Sequence, residues 1–70
     1  MTPNGSAIRA IREAQKLSIR ALSNRTGLNR GYLSRLERGL IRETTAERVE
    51  GIAQAMRVPT AAITHKEMKP

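Results

Sequence analysis

Apolar positions recur every three to four residues from Ile8 to Ile63, and nothing alternates with period two over a useful length, so the chain is expected to be all-α. About five short helices emerge, packed as a compact bundle. In the first, Ala7 to Lys16, the residues Ala7, Ile8, Ile11, Ala14 and Gln15 share one face, Arg12 stands at its edge, and Ser6 is placed to cap the start. The second runs from Ile19 to Arg25 behind Ser18, with Leu17 and Leu22 at the positions that staple a helix entry and Gly27 at its left-handed exit. Asn29, Leu28 and Leu33 repeat that arrangement for a third helix, Arg30 to Arg38, which Gly39 ends. A fourth is capped by Thr44 or Thr45, with Thr44 and Glu47 at capping-box spacing, and gathers Ala46, Val49, Ile52, Ala53 and Met56 on one face. Pro59 then punctuates the chain before a short fifth segment, Thr60 to Thr64, anchored by Ile63. Leu40 and Ile41, in the connector between the third and fourth helices, are expected to tuck against the core. Residues 1–5 read as a flexible arm, 6–64 as the folded domain and 65–70 as a polar tail.

Two capped helices about three residues apart are the signature of a helix-turn-helix. At about 100° per residue, the third helix places Tyr32, Leu33 and Leu36 on one arc, and Arg30, Gly31, Ser34, Arg35 and Arg38 on the other. A solvated helical face usually interleaves the two signs of charge. This one carries three guanidiniums and no acid; its one carboxylate, Glu37, falls beside the apolar arc. The formal charge of the whole chain is +7, and Ser18 to Arg42 holds six arginines against Glu37 alone. That clustering points to a polyanion partner, and the excess of arginine over lysine suits bidentate contacts to phosphate or guanine.

Seventy residues make one domain with a thin core. There is no cysteine, so disulfides and thiolate metal sites are excluded. No apolar run has the length of a membrane span, and without Trp or Phe the arginine-lined helix lacks the bulky anchors of a membrane-surface helix. His65 stands in the tail with no metal-ligating neighbours, Ser18 and Ser23 have no base to activate them, and Met56 reads as core. The glycines fit turns, and no phosphate-cradling GxxxxGK[ST] run exists. The chain is accordingly expected to be no enzyme, to hold no metal, cofactor or small-molecule ligand, to bind no membrane, and to be soluble and intracellular.

The runs IRAIREAQKLS, LSNRTGLNRGYLSRLERG and IAQAMRVP, from Ile8 to Ile63, resemble the Cro/C1-type (XRE-like) helix-turn-helix family, which includes lambdoid phage repressors and Cro proteins, restriction-modification controllers and some antitoxins. Leu22, Gly27, Leu28, Leu33 and Leu36 stand at its apolar and glycine positions. The resemblance implies a lambda repressor-like DNA-binding domain whose third helix enters the major groove, at work in the bacterial cytoplasm at the nucleoid. It assigns base contacts to Arg30, Gly31, Ser34 and Arg35, with Gly31 acting through the close approach it permits. Phosphate contacts fall to Arg20, Asn29, Tyr32, Arg38 and Arg42, and a structural salt bridge to Arg12 and Glu37. A homodimer on a two-fold operator would pair through Val58, Ala61, Ala62 and Ile63; the competing expectation is that Val58 and Ile63 complete a monomer's core. Four positions depart from the family pattern. Ile19 replaces a phosphate-contacting glutamine, Ser23 a usual alanine, Thr26 a larger aliphatic (expected to loosen the turn), and Arg57 a post-helix glycine.

The reading that follows is a small sequence-specific regulator of transcription that binds double-stranded DNA, of a repressor-like or Cro-like phage or plasmid type. An antitoxin or restriction-modification controller of the same fold is one alternative. A protein-interaction or RNA-binding module without base readout is another.

Overall fold

The computed structural model describes residues 1–65; apart from His65, the expected polar tail lies outside them. Among the described residues there are four α-helices, α1 (Gly5–Ala14), α2 (Ile19–Thr26), α3 (Arg30–Glu37) and α4 (Ala46–Met56), followed by one 3₁₀ turn, Thr60–Ile63. The fold is all-α, as the apolar periodicity predicts.

Local chemistry sets most of the boundaries. Ser18 Oγ accepts the Ala21 N–H at 3.0 Å, and Asn29 Oδ1 accepts the N–H groups of Gly31 and Tyr32 at 2.7 and 3.4 Å. Each cap satisfies donors that a helix start leaves without partners. Gly27 ends α2 at φ 75°, a conformation glycine adopts without a Cβ penalty. Gly39 (φ 76°) follows α3, where the N–H groups of Gly39 and Leu40 return to the carbonyls of Leu36 and Arg35 in a Schellman arrangement.

Several expectations need correcting, some because a distant contact outweighs a local preference and some because a local hydrogen bond is invisible in the pattern of residue types. Helix α1 begins at Gly5 behind Asn4, whose Oδ1 accepts the Ala7 N–H, not behind Ser6. The segment read as a flexible arm is paired into the fold: Asn4 N–H donates to Ile63 O at 2.8 Å, Pro3 bridges Thr64, and His65 N–H donates to Thr2 O. Thr45 caps α4, and the Thr44–Glu47 box does not form because the Thr44 hydroxyl is 2.6 Å from the Tyr32 hydroxyl. Ile41 packs on the core, but Leu40 is 62% exposed. Thr26 does not loosen the turn. Its hydroxyl donates to Leu22 O and accepts the Leu28 N–H, while Ser23 Oγ donates to Leu28 O.

The core is Ile8, Leu17, Leu22, Leu33, Leu36, Val49, Ile52, Ala53, Met56 and Ile63. Helix α1 lies against α3, α2 packs on both α3 and α4, and the 3₁₀ turn closes the far end against α1 and α4. Ile63 is fully buried, so it has no surface to offer a second copy of the chain. Val58 and Ala62 are partly buried against the same core, and Ala61 is exposed.

Candidate nucleic-acid interface

Leu33 and Leu36 are at most 1% exposed, and they fix which way α3 faces. With them turned inward, Arg30, Gly31, Arg35 and Arg38 are exposed and Ser34 is half-buried at the edge. Gly31 leaves the backbone bare where a Cβ would lie 3.0 Å from the capping Asn29 Oδ1 and 3.4 Å from Arg35 Nη1. The tight contact is with the cap oxygen; the Arg35 guanidinium lies only at van der Waals distance. Arg20 on α2 and Arg42 in the connector are exposed as well. None of Arg20, Arg30, Arg35, Arg38 and Arg42 takes part in an ion pair among the described residues.

Glu37, the one acid on α3, is withdrawn from this face. Arg12 reaches it from α1 with both tines of its guanidinium: Nε donates to Oε2 at 2.7 Å and Nη2 to Oε1 at 3.0 Å, while Nη1 donates to Leu17 O at 2.8 Å. The two side chains are 13% and 6% exposed. The hydrogen bond to Glu37 raises the Arg12 pKa above its ordinary value, and burial opposes it. Because its folded-state pKa is raised, Arg12 is charged at every working pH, and its share of the stability is lost only as pH rises through that raised value. The bridge also ties the C-terminal end of α3 to α1, so the carboxylate holds the arginine-lined helix instead of repelling a polyanion.

Two of the residues expected at phosphates are engaged within the protein. Tyr32 bonds Thr44 through its hydroxyl, and Arg48 stacks over its ring with Cζ 5.1 Å from the centroid. Asn29 spends its carbonyl oxygen on the α3 cap. Arg25, also on α2, donates to Ala55 O at 3.1 Å, and Gln15 donates to Met56 O at 2.6 Å, so two side chains hold the carboxyl end of α4. The sequence reading missed Gly5. A Cβ there would overlap the carbonyl oxygens of Leu36 and Glu37, so glycine is what lets the start of α1 abut the end of α3. Its position just after a Pro–Asn pair looked like punctuation, and nothing local distinguishes the two uses.

A short capped helix presenting unpaired arginines, supported by a second helix packed across it, defines a helix-turn-helix protein of the kind that handles DNA. The helix-turn-helix family model matches residues 8–63, and the chain belongs to that family, among its XRE-like regulators. An uncharacterized HTH-type transcriptional regulator of Mycobacterium tuberculosis is 46% identical over 54 residues, which cover 77% of this chain and 38% of that protein. The chain thus spans well under half the length of that relative. The restriction-modification controller C.AhdI of Aeromonas hydrophila superposes with a TM-score of 0.77 at 29% identity, covering 83% of this chain and 86% of the other. The clp gene regulator ClgR of Corynebacterium glutamicum gives 0.74 at 32% identity, covering 81% and 73%. SinR, a master regulator for biofilm formation solved in complex with DNA, gives 0.76 at 25% identity, covering 80% and 89%. The first of these is a transcriptional regulator by name, and the others are a controller and two regulators. Among the described residues, no helix is long and apolar enough to cross a membrane.

Proposed function

We propose that this chain is a sequence-specific repressor-like or Cro-like regulator that binds double-stranded DNA and inserts α3 into the major groove. The observation that carries this reading is the exposed, acid-free face of α3, with its one carboxylate turned inward by Arg12. Arg30 and Arg35 read base edges; the arginine fork matches guanine O6 and N7 and discriminates by about 1–3 kcal/mol per good pair. Ser34 reads a base or a bridging water, and Gly31 allows close approach. Arg20, Arg38 and Arg42 contact phosphate. Asn29 retains its amide nitrogen for such a contact. Tyr32 acts by holding the connector that carries Arg42, since its hydroxyl already meets Thr44.

One helix-turn-helix reads only a few base pairs, so we place a homodimer on a two-fold operator with half-sites about 34 Å apart or a multiple of that spacing. With Ile63 in the core, pairing falls to Ala61 and the exposed parts of Val58 and Ala62. The likeness to C.AhdI favours a second reading, a restriction-modification controller; a selected motif lying upstream of a nuclease or methyltransferase gene would support it.

The test is selection from random duplex DNA at two salt concentrations. A guanine-containing palindrome is expected. Binding that selects no motif and weakens steeply with salt is backbone attraction alone and rejects the reading. On the selected duplex, Arg30→Ala and Arg35→Ala should each relax particular bases, whereas Arg38→Ala should weaken all sequences alike and lower the salt slope by about one. Identical behaviour of the three variants would show the readers to be wrongly assigned.

A further inference from the structure

Leu40, the third residue after the end of α3, is 62% exposed. Its backbone is fixed: its N–H donates to Arg35 O at 3.0 Å, and the Gly39 N–H donates to Leu36 O at 3.1 Å. The next residue, Ile41, packs on the core, so the outward direction of Leu40 follows from the turn and not from a frayed end. Exposed arginines, Arg38 and Arg42, stand two residues away on either side. A lone exposed leucine is ordinary on a protein surface. This one is set in a hydrogen-bonded turn between two cations, on the segment that the proposed function lays along the duplex. Opposite charge brings the turn against DNA, and the apolar group that DNA offers in its major groove is the 5-methyl of thymine.

We propose that Leu40 contacts a thymine 5-methyl group at the edge of the major groove and so specifies a T·A pair beyond the bases read by Arg30 and Arg35. The proposal rests on the DNA-binding reading above. It makes Leu40 a specificity residue that contributes without charge.

The test uses the duplex selected by the full chain, with each thymine replaced in turn by deoxyuridine, which removes only the methyl. Dissociation constants are measured by fluorescence anisotropy for the wild type and for Leu40→Ala. The wild type should lose about fourfold in affinity at one thymine of each half-site, as expected for one buried methyl. Leu40→Ala should bind the unmodified duplex more weakly by at least that factor and be indifferent to the same replacement. Leu40→Met, which keeps an apolar side chain, should retain the sensitivity. The plot of log K against log salt should keep its slope in Leu40→Ala, because no phosphate contact is removed. Unchanged affinity in Leu40→Ala, a loss coupled to no thymine, or a lowered salt slope would each overturn the assignment. A wild type that selects no duplex at all would overturn the DNA-binding reading along with it, whereas a selected duplex without coupling overturns Leu40 alone.

Discussion

Two kinds of residue depart from what their type prefers, with opposite consequences. Gly5 is a helical glycine, ordinarily a weakness of up to about 1 kcal/mol relative to alanine. Here the missing Cβ is required, because α1 meets backbone carbonyls of α3 at that point. Gly5→Ala should therefore destabilise by about 3 kcal/mol, the upper end of what overpacking usually costs, since backbone cannot move aside as a flexible side chain does; thermal denaturation followed by circular dichroism measures it. Arg57 and Lys16 are the reverse case, with φ of 58° and 55° after the ends of α4 and α1. Left-handed backbone strains a residue with a Cβ by roughly 1–2 kcal/mol, part of which glycine's freedom in the unfolded chain gives back. Arg57→Gly should raise the melting temperature by roughly 4–8 °C, the shift expected for about 1 kcal/mol in a chain this short. An unchanged or lower value would show that the Arg57 side chain contributes to the fold in its own right.

At the level of elements, α3 is held at both ends by different chemistry. Its start depends on the Asn29 cap and its end on the clamp from Arg12. Removing one partner of a buried pair leaves the other charge desolvated, so Glu37→Ala should cost about 3 kcal/mol, well beyond an exposed pair. A melting temperature shifted by only a degree or two would show that water reaches Arg12 freely. Arg12→Lys should recover little, because an ammonium cannot meet both carboxylate oxygens and the Leu17 carbonyl with the same planar fork. The connector has its own tie to α3 through Tyr32 and Thr44. Tyr32→Phe should leave the melting temperature within a few degrees, and weaken DNA binding with a salt slope resembling that of Arg42→Ala, as read by anisotropy titrations across salt.

Across the whole molecule, what could be read from the sequence divides by the range of the interaction. Ser18, Gly27 and Asn29 work within four residues of themselves, and the spacing of Leu22, Leu33 and Leu36 already orients α3; these were legible. Asn4 displaced Ser6, and Thr45 displaced Thr44, because the competing partners, Ile63 and Tyr32, lie far away along the chain. In the sequence Ile63 fits either a core or an interface position, and its burial against α1 and α4 places it in the core. Ser23 and Thr26 showed no hydrogen-bonding role in the sequence because their partners are carbonyl and amide groups, which every residue carries. The arginine face of α3 is legible from helical spacing. Which arginines are engaged within the protein is not, since Arg25 turns to the end of α4.

The backing of α3 is independent of the letters on its outer face. The exposed side chains of Arg30 and Arg35 take no part in the Arg12 clamp, so on the proposed reading these two could be rewritten together to recognise another operator while the scaffold melts at nearly its original temperature. Position 31 is the exception, because any side chain there presses on the oxygen that starts the helix. A library built on this protein should vary Arg30 and Arg35 freely, restrict half-buried Ser34 to small residues, and leave position 31 as glycine.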